Sequence, residues 1–184
     1  PEFKTAGENI YYIPGQALSA DIDFDLIKKN FAQFEALQKS HNVTSASAVK
    51  YGGVVESLAL ATFGNHIGAE VTLPELETTL TAQLGGFVFI SPQEIAGVEK
   101  IGQTKADFTL IVNGVKLDGQ KLDSAFQGRL EEVYPTEFAQ AKELEEVPAV
   151  ASDAVIKAKE RVEKPVVYIP VFPGTNSEYD SAKA

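Results

Sequence analysis

The residues with the greatest chemical reach lie between Ser47 and Gly68, in the run SAVKYGGVVESLALATFGNHIG. Gly52-Gly53 opens an almost wholly apolar helical stretch carrying Val54, Val55, Leu58, Ala59, Leu60, Ala61 and Phe63. Adjacent glycines admit backbone angles closed to other residues and let a second group approach closely. The first turn of the helix behind them points free N–H groups, and the positive end of the helix dipole, past the glycines. That arrangement suits a phosphate oxygen. It equally suits tight packing of a strand against a helix with no ligand at all. The full phosphate-loop and dinucleotide signatures are both absent, so the two readings of Gly52 and Gly53 stand side by side.

The remaining chemistry is sparse. The chain has two histidines, His41 and His66. His41 follows a helix end, where a cation is favourable and exposure is the default. His66 sits in the turn Gly64–Gly68, where a structural or exposed role outweighs a catalytic one. No histidine and acid stand at zinc-ligand spacing, and no GxSxG elbow occurs. Glu56 is the one acid inside an apolar stretch. It reads as facing a solvated edge or capping a neighbouring turn rather than as a group of raised pKa. No self-contained catalytic set and no metal site emerge.

Composition sets the outer limits. A chain of 184 residues with 44% hydrophobic and 23% charged residues suits one cored domain with an appendage. Its net charge of −10 argues against nucleic acid or an anionic membrane as partner. The absence of cysteine removes disulfides, thiolate metal sites and a cysteine nucleophile, and fits a reducing, cytoplasmic setting. No apolar run has the length of a membrane span. Methionine is also absent and the chain opens Pro1-Glu2-Phe3, as expected of an excised piece whose first residues are a cloning remnant.

The positioning elements follow from periodicity. Asn9–Ile13 reads as a strand closed by Pro14-Gly15. Residues 24–39 read as a helix with Asp21 and Asp23 as caps and Phe24, Ile27, Phe31, Phe34 and Leu37 on its core face. Residues 42–49 form a strand leading to the glycine pair, and Ala69–Leu73 a strand after the central helix. A short helical or irregular piece runs from Pro74 to Leu84. Phe87–Ile90 is a buried central strand. Ser91-Pro92-Gln93-Glu94 has the cap, proline and acid of a brief helix. Asn113-Gly114 between Phe108–Val112 and Val115–Leu117 is a type I′ hairpin. Lys121–Val133 is a helix bearing Leu122, Phe126 and Leu130. Residues 136–164 alternate acids and bases as a solvated helical linker. Val166–Val171 returns to a buried-strand pattern, with a fresh helix start at Ser177. The expected divisions are 1–135, 136–164 and 165–184.

The order strand, FxxF helix, SAVKYGGVVESLALATFGNHIGAEV, LGGFVFIS, EKIGQT and Asn-Gly hairpin resembles the C-terminal synthetase domain of the phosphoribosylformylglycinamidine synthases in their large single-chain form. It is similar, more loosely, to the C-terminal domain of the aminoimidazole ribonucleotide synthetases. The tail KPVVYIPVFPGTNSEYDSAKA resembles the opening strand and turn of the first family's glutaminase domain. The resemblance covers the chain from about Asn9 onward. It implies an α+β fold, a mixed sheet with packed helices in agreement with the element order above, and an ATP-dependent, magnesium-requiring amidotransferase of purine synthesis, with the preceding synthetase domains and the following glutaminase domain of the same chain as partners. The nucleotide- and metal-binding residues of that family lie mostly in the preceding domains, and its glutaminase Cys, His and Glu lie beyond Ala184. This piece is therefore expected to be inactive alone and to hold no cofactor stably.

One departure matters. Relatives commonly carry Ser-Asp before the glycine pair, whereas Lys50-Tyr51 stand here. An aspartate able to hold magnesium is missing, while Lys50 favours an anion. Lys50, Gly52 and Gly53 are thus the candidate phosphate-proximal residues. The competing expectation is a structural or interaction domain in which the glycines only pack. A weaker third is another synthetase of the same superfamily, of the hydrogenase-maturation or selenophosphate type.

Overall fold

Strand β1 (Asn9–Ile13) is buried along its whole length, and the sheet grows outward from it on both sides. The computed structural model describes residues 1–18, 21–74, 79–136, 160 and 162–184. The chain divides into two units, Pro1–Phe138 and Ala139–Ala184. In the first, β2 (Gln16–Ala17) is followed by helix α1 (Phe24–Ser40), β3 (Ser45–Ala48), helix α2 (Gly53–Phe63) and β4 (Gly68–Val71). Strands β5 (Gln83–Leu84), β6 (Phe87–Ser91), β7 (Glu99–Lys105), β8 (Thr109–Val112) and β9 (Val115–Asp118) come next, then helix α3 (Gly119–Gln127) and a 3-10 turn, Gly128–Leu130.

The main sheet has seven strands in the order β3-β6-β1-β7-β4-β8-β9, and β2 pairs with β5 in a separate ribbon. Only β4 and β8 pair in parallel; the other neighbours run antiparallel. The fold is α+β with a mixed sheet. Successive strand residues face opposite ways, and both faces of β1 and β6 are covered. Ile10, Tyr12, Val88 and Ile90 enter one core with Val54 and Leu58 of α2. Tyr11, Ile13, Phe87 and Phe89 enter a second core with Phe34 and Leu37 of α1. Burial on two faces is why these strands read as unbroken apolar runs rather than alternating ones. In the second core, Phe34 stacks on Phe87 at 4.7 Å and Tyr11 on Phe89 at 5.3 Å.

Local rules account for several element ends. Asp23 caps α1 by accepting from the Asp25 and Leu26 N–H groups at 3.0 and 2.9 Å. The hairpin between β8 and β9 turns on Asn113 (φ 49°) and Gly114 (φ 80°), the left-handed pair that a type I′ turn requires. The Asn113 side chain also binds β4's exit, accepting from the Leu73 N–H at 2.7 Å and donating to its carbonyl at 3.1 Å.

Elsewhere tertiary contacts overrode the local signals. Helix α1 is turned about one residue from the face its phenylalanines suggested. Phe24 and Phe31 are 64% and 55% exposed, and the most buried residue of the helix is Asn30, at 4%. Asn30 Nδ2 donates to the Pro14 and Gly85 carbonyls at 2.8 and 2.9 Å, tying α1 to two turns. Replacing Asn30 with alanine leaves both part-buried carbonyls without their donor and lowers stability by about 2 kcal/mol, read by urea unfolding. The same loss from Gln33→Ala, on a neighbouring turn of the helix, would remove the special role of Asn30.

Ser91 to Glu94 is not a helix start. Ser91 is the last residue of β6, paired with Asn9, and its hydroxyl accepts from the Gln93 N–H at 3.1 Å in a tight turn toward β7. The stretch 99–105, too polar to signal a strand, is β7 and lies between β1 and β4. The helix expected over 121–133 spans Gly119–Gln127 before tightening to a 3-10 turn, and Phe126 and Leu130 stay largely exposed. The piece expected to be helical or irregular up to Leu84 ends instead in β5; residues 75–78 lie outside the described residues. Phe3, read as part of a remnant, is wholly buried in the first core.

Most of the expected linker (137–159 and 161) lies outside the described residues. Val166–Val171 forms no strand, and Val166, Val167 and Tyr168 are 98%, 73% and 86% exposed. An extended run becomes a strand only when a neighbour accepts its backbone hydrogen bonds. Helix α4 (Glu178–Lys183) begins after Ser177, at the expected start.

Candidate functional site

Strand β3 delivers the chain to Lys50, and the turn at Tyr51-Gly52 hands it to α2. The Lys50 carbonyl is a hub, accepting from the Gly53 N–H at 3.3 Å and the Gln83 N–H at 3.2 Å. This joins the glycine pair to β5, far away in sequence. Gly53 adopts φ 70°. A Cβ there would lie 2.2 Å from the Thr79 carbonyl oxygen. The backbone of residues 79 and 80 therefore passes where a side chain would stand.

The start of α2 is capped from within. Glu56 Oε2 accepts from the Gly52 N–H at 2.9 Å, the reach-back of a carboxylate in the first helical turn. Glu56 is thus a cap of its own helix. Buried Ser57 donates from its hydroxyl to the Gly53 carbonyl at 3.3 Å.

Beside this turn is a cavity of about 290 Å³, between residues 48–51 and 82–85. Its lining includes the aliphatic Leu18, Val49, Ala82 and Leu84 and the polar Lys50, Tyr51 and Gln83. Tyr51 is 81% exposed. Lys50 makes no ion pair among the described residues. Gln83 is buried, and its Oε1 accepts from the Tyr12 hydroxyl at 2.8 Å and the Gly15 N–H at 3.1 Å. The structure thus brings Lys50, Gly52 and Gly53 together around one turn. It adds Leu18, Tyr51 and the β5 segment, which sequence reasoning missed. The trace of β5 in the sequence is Leu84, the first residue of the LGGFVFIS segment.

Other candidates are dispersed. His66 (φ 53°) stacks on Phe108 at 4.4 Å, a packing role. His41 caps α1, with Nδ1 2.8 Å from the Ser40 hydroxyl. A larger open groove of about 830 Å³ crosses β4 and β7, but its floor is polar, with Glu70 and Lys105 paired at 3.2 Å. The Lys100 hydrogen bond holds the exposed Glu94 carboxyl below the usual range. Among the described residues no three His, Asp or Glu side chains converge as a metal site. No described helix is long and apolar enough to cross a membrane.

Burial pushes the Tyr12 phenol above its ordinary value of 10.0, and the nearby Glu99 carboxylate adds to the effect. Ionisation is therefore easier in the unfolded chain. This contribution to stability is full below pH 10 and is lost as the pH rises toward the folded value. The urea midpoint should fall on going from pH 9 to 11, and Tyr12→Phe should flatten that fall. An identical alkaline slope in the variant would assign it to other groups.

No protein-family model matches the chain, and no curated protein sequence matches it. Among solved structures, the chain superposes on Thermotoga maritima PurL, "T. maritima PurL complexed with FGAR", with a TM-score of 0.51 at 14% identity. The match covers 66% of this chain. The chain shares its fold with part of PurL. It spans 28% of the length of that PurL chain. The likeness is one of architecture: a mixed sheet with packed helices.

Proposed function

We propose that this chain is a synthetase-type domain of a PurL-type enzyme, a carbon–nitrogen ligase of purine biosynthesis. In that reading the parent enzyme converts formylglycinamide ribonucleotide, glutamine and ATP to formylglycinamidine ribonucleotide, and the glutamine amide supplies the nitrogen. The observation that carries the reading is the fold shared with PurL, joined to the order of the YGGVVESLALATFG, LGGFVFIS and Asn-Gly segments along the chain.

The described residues do not fit a magnesium site of their own, because no cluster of carboxylates converges and Lys50-Tyr51 replace the Ser-Asp common in relatives. The chemistry of ATP and metal is accordingly assigned to other parts of the parent enzyme. The part of this chain is positioning: Lys50 and the α2 start lie toward a phosphate-bearing ligand, with the neighbouring synthetase and glutaminase domains as partners. The test is complementation of a purine auxotroph lacking this ligase by the full reading frame that encodes the chain. Growth without purines is expected from the full frame and not from residues 1–184 alone. Failure of the full, expressed frame would overturn the assignment.

A second reading is favoured by the geometry at the glycines. The Gly52 N–H is already bound by Glu56, and Gly53 is pressed against the Thr79 carbonyl, so the pair serves packing. Lys50→Ala in the complementing enzyme separates the two. A KM for the ribonucleotide raised tenfold or more supports ligand contact, and an unchanged KM supports packing.

A further inference from the structure

We propose that the cavity beside Lys50 is a binding site for a small organic anion built on one flat ring, the ring between the aliphatic walls and the anion on the Lys50 ammonium. The argument starts from the lining. Leu18, Val49, Ala82 and Leu84 are aliphatic and offer a ring nothing but dispersion and release of water. At about 290 Å³ the space lies at the lower end for ligand pockets, enough for a single ring and its substituent.

The polar groups then select the substituent. Two of the backbone groups at this turn are engaged: the Lys50 carbonyl accepts twice, and the Gly52 N–H is held by Glu56. Gln83 spends its side-chain oxygen on Tyr12 and Gly15. What is left over in the lining is a cation without a carboxylate among the described residues, in a chain of net charge −10. Lys28, Lys29 and Lys116 also lack an ion pair among the described residues; Lys50 is charge-complementary to an anionic guest through its place in the lining of this apolar hollow. Tyr51, 81% exposed, adds an aromatic face beside the cation. The ring and the charge are both required: the walls reject a bare hydrated ion, and the lysine gains nothing from a neutral ring.

The inference goes beyond the ligase reading and needs only this chain. Isotope-labelled protein of the full 184 residues is titrated with phenyl phosphate, with inorganic phosphate (charge without ring) and with benzyl alcohol (ring without charge), while backbone amide resonances are followed. Phenyl phosphate should shift residues 48–51 and 82–85 saturably and bind at least tenfold more tightly than either control. Lys50→Ala should weaken it at least fivefold. Ala82→Leu, which fills the hollow, should abolish binding while leaving the spectrum otherwise folded. Equal affinity for inorganic phosphate, shifts confined to other residues, or unaltered binding by folded Lys50→Ala and Ala82→Leu variants would each overturn the proposal. Success here with failed complementation would leave the site standing and remove the ligase assignment; the converse would do the opposite.

Discussion

Phe3→Ala should lower the stability of the 1–138 unit by about 3–5 kcal/mol, the usual cost of deleting a buried phenylalanine ring. Phe3 is 0% exposed and belongs to the core formed by α2 and the sheet. Its backbone is held as firmly as its ring. The Phe3 N–H donates to the Ala61 carbonyl at 2.8 Å, and Asn65 Nδ2 donates to the Phe3 carbonyl at 2.7 Å. The chain's third residue is thus bound to both the last turn of α2 and the loop behind it. Phe24→Ala is the matched control, because the same side chain is 64% exposed there and a surface change of this kind stays within about 0.5 kcal/mol. Urea unfolding of the two variants decides the matter. A midpoint for Phe3→Ala no lower than that for Phe24→Ala would show that the N-terminal segment does not belong to the core.

Gly53→Ala is the second large effect, and here two costs add. A left-handed φ costs an alanine about 1–2 kcal/mol, and Gly53 holds φ 70°. The added methyl carbon would also sit 2.2 Å from the Thr79 carbonyl oxygen, so the backbone must move. Overpacking of that kind costs a further 1–3 kcal/mol, about 3 kcal/mol in all with the strain. Gly97→Ala isolates the first part: Gly97 has φ 79° but nothing within 4 Å of an added Cβ. The measured difference between the two variants is the contact of α2's start with residues 79 and 80. Equal losses at the two sites would mean that the close approach at Gly53 is absent in solution.

These two variants also mark where reading along the chain succeeds. Gly53 was legible as a special backbone position because paired glycines before an apolar helix have few other uses. What the pair faces was not legible, since residue 79 is brought there only by the fold. Phe3 was misread because nothing local distinguishes a buried aromatic near a terminus from an exposed one. On α1 the reading held for Phe34 and Leu37, which pack into the second core, and erred at Phe24 and Phe31, which are largely exposed. Their spacing announced a helix, and the helix is there, but the fold needed a donor for the Pro14 and Gly85 carbonyls and turned Asn30 inward to supply it.

The candidate site divides in the same way. Lys50, Gly52 and Gly53 are consecutive enough to be picked out together, yet the cavity beside them needs Ala82 and Leu84 as its far wall. The hydrogen bond from the Gln83 N–H to the Lys50 carbonyl closes that wall, and no pattern within either segment implies it.

By itself the sequence determined the Asn113-Gly114 turn, the apolar strands β1 and β6 and the two main helices. Each of these depends on backbone preference or hydrophobic period within a few neighbouring residues. Tertiary structure alone decided that the polar run 99–105 is an inner strand, that Asn30 is the most buried residue of α1 and ties it to two turns, and that Glu56 occupies the Gly52 amide. Those outcomes turn on which hydrogen-bonding groups and apolar surfaces meet across long stretches of chain, and such meetings carry no local signature.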